Sequence, residues 1–311
     1  MGTVRLYNLD TVMIDVVTHV AHLPSAGGDV RASASAVRTG GGFNVMSAAA
    51  RQGMPVTYVG RLGHGTFSEL ARRDLDGLSV ATPVAAHLEQ DAGYCLVLVD
   101  ESGERTFVTA TGAELSLGAA DLALVVPSDG DYVFVSGYCL VYPEIAEAVT
   151  HWVSELAEGV VVAFDPAPRV LDIAARVLDP MLARADWLLL NDTEAVELSG
   201  ESELDDVLET LMTISGRSGV VVHRGELGCV VATRTGDVLD VPAFATDPVD
   251  TNGAGDTHDG VFLAELARGS DVASAAQRAN AASALAVAQI GPATCPTREE
   301  ITSFLARAAR S

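Results

Sequence analysis

Asp250-Thr251-Asn252-Gly253-Ala254-Gly255-Asp256-Thr257 is the stretch on which the reading of this chain turns. It follows a β-like run ending in Phe244 and precedes a helix with apolar periodicity from Val261. Small residues at 253–255 let the main chain approach a ligand closely. The helix that follows opens with amides lacking intrahelical partners, and its dipole favours negative charge there. That combination binds an anion. Asp256 then sits where a carboxylate meets the bound anion. The two repel, so binding alone gives the carboxylate no purpose. As a base taking a proton from an attacking hydroxyl, it has one. The competing reading is a tight turn with Asp256 as its N-cap.

Working outward, Gly40-Gly41-Gly42-Phe43-Asn44 precedes a helical run at 45–51. The glycines offer backbone freedom and exposed N–H donors, and Asn44 supplies both a donor and an acceptor for a hydroxyl-rich ligand. A flexible loop with Asn44 as helix N-cap is the alternative. Asn191-Asp192-Thr193-Glu194 follows the apolar run 187–190. It reads either as a capping box or as oxygen ligands for Mg²⁺ and its waters. Asp165 likewise follows an apolar run, and in open α/β sheets ligands sit beyond the carboxyl ends of strands.

Short β-branched runs at 56–59, 94–99, 132–135, 160–164, 187–190, 219–222 and 229–233 predict strands. Several are continuously apolar, as suits a parallel sheet buried on both faces. Stretches at 142–156, 204–214 and 255–267 carry helical spacing between them. The alternation predicts a layered α/β sheet, regular from about residue 110 onward. Before that, 12–20, 29–37, 94–99 and 104–109 read as strands with mixed faces. Asp100-Glu101-Ser102-Gly103 has hairpin composition. These pieces predict a small antiparallel sheet on one compact domain over 1–311, forming a lid from about 12–37 and 88–110. Towards the C-terminus, 271–288 is Ala-rich around Asn280, and Thr297-Arg298-Glu299-Glu300 predicts a capping box opening the last helix.

Of the 311 residues, Lys+Arg account for 19 and Asp+Glu for 42, a formal charge of −23. So acidic a surface repels phosphate backbones and anionic lipid, which argues against nucleic acid and membrane partners. Every basic residue is arginine. The absence of lysine excludes Schiff-base chemistry and a Walker-A lysine, but not phosphate binding by main-chain amides. Cys95, Cys139, Cys229 and Cys295 form no C-x-x-C, so neither zinc nor a dithiol is signalled. With no basic leader before an apolar run and no stretch approaching a membrane helix, a cytoplasmic protein is expected.

The segment 250–256 resembles the C-terminal signature of the ribokinase/PfkB sugar-kinase family, D-T-x-G-A-G-D, and Gly41-Gly42-Phe43-Asn44 resembles its N-terminal one. The resemblance spans nearly the whole chain. Residues 12–15 resemble the first strand, ending in a substrate-contacting Asp. Leu23-Pro24 and Gly28-Asp29 resemble the lid entry, and Asn191 with Glu194 the N-x-x-E motif. His223-Arg224-Gly225-Glu226-Leu227-Gly228 resembles the nucleotide loop, and Gly291-Pro292-Ala293 with Pro296-Thr297 a later conserved segment.

The resemblance implies a ribokinase-like α/β fold and ATP-dependent phosphorylation of a hydroxymethyl group on a small sugar or nucleoside. Asp256 is then the base, with Gly253, Ala254 and Gly255 as the anion hole. Asp15, Gly41, Gly42 and Asn44 hold the acceptor. Asn191, His223, Gly225, Gly228 and Asn280 line the nucleotide site, and Glu194, Asn191 and Asp165 serve Mg²⁺. It also brings K⁺ to 250–252 and 291–295, and the open edges of the lid strands suggest a homodimer.

The chain departs from the family pattern at several places. His258 stands where Phe is commoner, and either touches substrate or packs within its helix. His223 replaces a Thr, and Phe43 a Lys found in ribokinases proper. Arg105 in the lid reads as a substrate contact or as an exposed strand arginine. A nucleoside kinase needs a stacking platform, for which only Tyr94, Phe107 and Phe43 are at hand, so a sugar is favoured. A sugar or nucleotide sensor without catalysis would not need Asp256.

Overall fold

A computed structural model of the chain describes residues 3–291 and 293–310. Its strands are β1 (Leu6–Leu9), β2 (Val12–His19), β3 (Ala34–Gly41), β4 (Val56–Tyr58), β5 (Tyr94–Val99), β6 (Arg105–Ala110), β7 (Tyr132–Ser136), β8 (Val161–Asp165), β9 (Trp187–Asn191), β10 (Gly219–His223), β11 (Cys229–Thr233) and β12 (Val238–Val241). Eight of them form one sheet, in the order β12-β11-β10-β9-β8-β7-β1-β4. Pairing is parallel from β4 through β10 and turns antiparallel at β11 and β12.

Two-sided burial explains the apolar strands. Leu189 and Val221 belong to the core on one face, with the helices Phe43–Arg51, Ala254–Ala267 and Val272–Ala286. Their neighbours Leu188, Leu190, Val220 and Val222 belong to the core on the other face. Alternation along a strand thus feeds both layers, and each fully buried Leu or Val contributes about 1.5–3 kcal/mol.

The remaining strands form a separate four-stranded sheet, β3-β2-β5-β6. It is mixed rather than wholly antiparallel, because β2 and β5 pair in parallel. β3 also starts and ends later than the sequence predicts, running into Gly40 and Gly41. The main sheet starts with β1, a four-residue strand absent from the sequence prediction, so the 12–15 segment belongs to the second strand. β2 continues four residues past Asp15. No helix among the described residues is long and apolar enough to cross a membrane, and all four cysteines are free.

Candidate active site

Asp10, Asp165, Asn191 and His223 all stand at the carboxyl ends of parallel strands. Asp10 follows β1, Asp165 ends β8, Asn191 ends β9 and His223 ends β10. The register sets His223 opposite Asn191 and Ser136 of β7 opposite Asp165. Chain order reverses at β1, which lies between β4 and β7, and ligands bind at such a switch point.

The helix Ala254–Ala267 brings Asp256 to this edge. Gly253 is the N-cap, at φ 74°, and no side chain caps the helix, so Asp256 is not a cap. A Cβ at Gly253 would come 3.2 Å from Asn44 Nδ2. That amide donates to Asp256 Oδ2 at 2.9 Å. Asn44 Oδ1 is buried and has no partner, which leaves an acceptor for a ligand hydroxyl.

The Gly40–Gly42 segment is not a flexible loop. Gly40 and Gly41 end β3, paired with Met13 and Val12, and Gly42 is the N-cap of Phe43–Arg51, so Asn44 lies inside the helix. A Cβ on Gly42 would stand 2.6 Å from Asp10 Cβ, and one on Gly40 would collide with the Asp15 carboxylate. Close approach requires glycine at 40 and 42, and at Gly41 a φ of 59° does so as well.

The site concentrates carboxylates. Burial pushes Asp256 up to about 6; the Asn44 hydrogen bond opposes this, while Asp259 adds to it. Burial alone pushes Asp15 up to about 6. Burial and the nearby Asp256 push Asp10 up to about 8. Asp165 is raised well above the ordinary range by burial, Asp259 and Glu194. Glu194 is raised by burial, against the Asn191 amide that holds it. Tyr138 is raised by burial and by Asp10, Asp165, Asp256 and Glu194, which places its phenol among them. Several oxygen donors repelling one another fit a hard divalent cation. Sequence reading missed Asp10, because Asn8 interrupts the strand before it and no apolar run marks it out.

Asn191 and Glu194 do form the capping box: Glu194 N–H donates to Asn191 Oδ1 and Asn191 N–H to Glu194 Oε2, both at 2.9 Å. The cap engages one oxygen of Glu194 and leaves Oε1. His223 Nε2 lies 3.1 Å from Asp259 Oδ1, and its Nδ1 is 3.7 Å from where a Gly255 side chain would begin. Burial opposes charge on His223, but Asp259, Glu194 and Asp256 hold its pKa above the ordinary value. Its ring lies beside the first turn of the helix that carries Asp256.

His258 packs within its helix, its ring centroid 4.4 Å from that of His223 and 6.1 Å from that of Phe262. Burial and His223 keep it neutral. Ligand-type atoms of His223, His258 and Asp259 lie within 4.8 Å of one another, and, the His223–Asp259 contact aside, His223 Nε2, both ring nitrogens of His258 and Asp259 Oδ1 are buried without a hydrogen-bond partner. Gly225 and Gly228 form the turn after β10. Asn280 Nδ2 donates to the carbonyls of Val241 and Pro242 at 2.9 and 3.1 Å, bracing the chain beyond β12. Pro292 lies outside the described residues.

Comparison with known proteins agrees with this geometry. Residues 5–299 match the pfkB family carbohydrate kinase description. The chain is 32% identical over 299 residues to the "uncharacterized sugar kinase YegV" of Escherichia coli K12, covering 93% of this chain and 90% of that protein. It is 32% identical to the ATP-dependent ribose-1-phosphate kinase of Halopiger xanaduensis, over 97% and 98% of the two chains. In fold it matches a putative ribokinase II of E. coli in complex with ATP and Mg²⁺, with a TM-score of 0.85 at 21% identity, covering 98% and 99%.

Proposed function

Since the chain belongs to the pfkB family of carbohydrate kinases, we propose that it transfers the γ-phosphoryl group of ATP to a hydroxymethyl group of a small sugar, with Asp256 as general base. The observation that carries this reading is Asp256 itself, buried at a helix N-terminus and hydrogen-bonded by Asn44 at 2.9 Å. Its carboxylate takes the hydroxyl proton as the sugar oxygen bonds to the γ-phosphorus. The bond from that phosphorus to the bridging oxygen breaks, and ADP leaves with the electron pair. Amides of Gly253 and Gly255 face the charge on the transferring group, while that of Ala254 donates to the Thr251 carbonyl at 3.3 Å and would have to leave it to join them; positioning with charge stabilisation accounts for most of such catalysis. Asp165, Asn191 and Glu194 would hold Mg²⁺, which would supply positive charge against the phosphates. His223, beside Gly255 and paired with Asp259, lines the nucleotide side of the site.

Asp15 and the open Asn44 Oδ1 hold the acceptor's hydroxyls. A sugar suits the site better than a nucleoside, because two of the three candidate aromatics are engaged elsewhere. Phe43 is buried in the main core, and Tyr94 packs on Phe67 at 5.4 Å. The small sheet acts as a lid. Its exposed edge residues Val37, Phe107 and Val108 suit pairing with a second copy. Four free thiols suit a cytoplasmic location.

ADP release measured over pentoses, hexoses, ketoses and nucleosides tests the reading. One sugar class should stand well above the nucleosides. A nucleoside as best acceptor overturns the sugar assignment.

A further inference from the structure

Arg105 begins β6, and its Nη2 donates to Asp250 Oδ1 at 2.5 Å, across 145 residues of sequence. The pair is shielded, the two side chains being 30% and 17% exposed. It is thus neither an exposed strand arginine nor one free to meet substrate. Asp250 opens the segment that leads into the helix N-terminus at Gly253. Its Oδ1 also accepts the Asn252 N–H, and its Oδ2 the Gly291 N–H, both at 3.0 Å. The Val249 and Asp250 amides both donate to the Val287 carbonyl. Burial pushes the Asp250 carboxyl up, but hydrogen bonds from Asn252, Arg105 and Gly291 outweigh it and keep the group ionised.

Register ties this pair to the acceptor side. Asp15 stands opposite Cys95, and Arg105 opposite Val99 of the same strand. Alternation puts Cys95 and Val99 on one face, so Asp15 and Arg105 share that face of the small sheet. One surface carries both the carboxylate that meets the sugar and the guanidinium that grips the anion-hole segment.

The K⁺ that the family resemblance brings to 250–252 and 291–295 would find the Asp250 carboxylate already occupied. The one carboxylate there has both oxygens engaged by protein donors, and a guanidinium already lies against it. A second cation would meet fixed positive charge.

We infer that Arg105 is a positioning residue that supplies this segment's cation from the lid, so that closing the small sheet sets the anion hole and no monovalent ion is needed. This rests on the reading of Gly253-Ala254-Gly255 as the anion hole. When the small sheet moves away, Asp250 loses its counter-charge and the segment loses one anchor. Acceptor binding and phosphoryl positioning are thereby coupled through one ion pair.

Initial rates with the best acceptor from the ADP-release screen test this in equimolar potassium, sodium and tetramethylammonium chloride. Thermal midpoints of the unliganded protein in the same salts need no acceptor. Wild type should vary less than about twofold in rate, with one midpoint in all three salts at matched ionic strength. Arg105→Met should lower kcat about ten- to a hundredfold, the scale of a misplaced reacting group, with little change in KM for ATP. Its rate and midpoint should rise with added guanidinium or potassium, and Arg105→Lys should fall between the two.

A wild type slowed tenfold or more in tetramethylammonium overturns the inference, as does an Arg105→Met enzyme with wild-type kcat and no cation response. If Arg105→Met does not fold, the lysine variant and the wild-type salt series decide. Asp256→Asn, run in parallel, separates the two readings. An inactive Asp256→Asn beside a normal Arg105→Met leaves the base in place and removes this coupling. An active Asp256→Asn removes the anion-hole reading itself.

Discussion

Asn44 donates its Nδ2 hydrogen to Asp256 Oδ2 at 2.9 Å, joining two glycine-rich segments 212 residues apart. The bond stabilises the ionised form of Asp256, so it lowers the pH at which that carboxylate can accept a proton. Asp256→Asn should lower kcat about 10²–10⁴-fold with little change in ATP affinity, the usual cost of losing a general base. Turnover within threefold of wild type would leave Asp256 no catalytic role.

The pH–rate profile reports the same carboxylate. Asp256 must be ionised to accept a proton and is pushed up to about 6. kcat/KM should therefore fall as pH drops through about 6, with one proton involved. Asn44→Leu removes the bond that lowers this pKa, so its acid limb should move to higher pH. An unmoved limb would assign it to another group, such as Asp15.

Glu194 both caps a helix and faces the site. Glu194→Gln keeps an oxygen for the Asn191 amide but loses the charge. It should raise the Mg²⁺ concentration needed for half-maximal rate, with a stability change of about 1 kcal/mol or less. A lower melting temperature with unchanged Mg²⁺ dependence would leave Glu194 as a cap alone.

Asp10 makes a stability prediction of definite sign. Its folded pKa of about 8 lies above the ordinary 3.8, so folding favours the protonated form. The associated stability is fully present below about pH 4 and is lost as pH rises through about 8. Asp10→Asn should therefore raise the melting temperature relative to wild type at pH 9 more than at pH 5. The rough size is about 1–3 kcal/mol, that of one poorly solvated buried polar group. A pH-independent difference would place Asp10 in an exposed or paired setting.

Hydrogen exchange should gain protection on acceptor binding in β2, β3, β5 and β6 more than in β8, β9 and β10. Closure excludes the water that would otherwise take the phosphoryl group. Uniform protection, or the full effect from ATP alone, would deny the small sheet its role as a lid.

Legibility in the sequence followed burial. Strand β11 was readable to the residue, and β7 to β10 nearly so, because apolar side chains on both faces leave an unbroken run; β5 was readable from its apolar composition although only Val97 of it is buried. β1 was not, since its four residues include the buried polar Asn8. β12 is a short edge strand with two exposed positions and a central Asp240, so no apolar run marks it. β3 ends in Gly40 and Gly41, residues of poor strand propensity that the Asp15 and Thr11 contacts require. The glycine motifs and Asp256 were readable because chemistry confines them to one short segment. Asp10, the His223–Asp259 pair and the Arg105–Asp250 pair were not, because each takes its meaning from a partner distant in sequence.

The Asn44–Asp256 bond also has a place in time. Ribosomes add about 5–20 residues per second, so Asp256 appears on the order of 10–40 s after Asn44. Throughout that interval the helix Phe43–Arg51 lacks its main packing partner, the helix Ala254–Ala267. The nascent chain holds no complete acceptor pocket until its final fifth has been made. Free sugar therefore has nothing to stabilise during most of synthesis, and the waiting apolar face of Phe43–Arg51 is a surface for chaperones to shield.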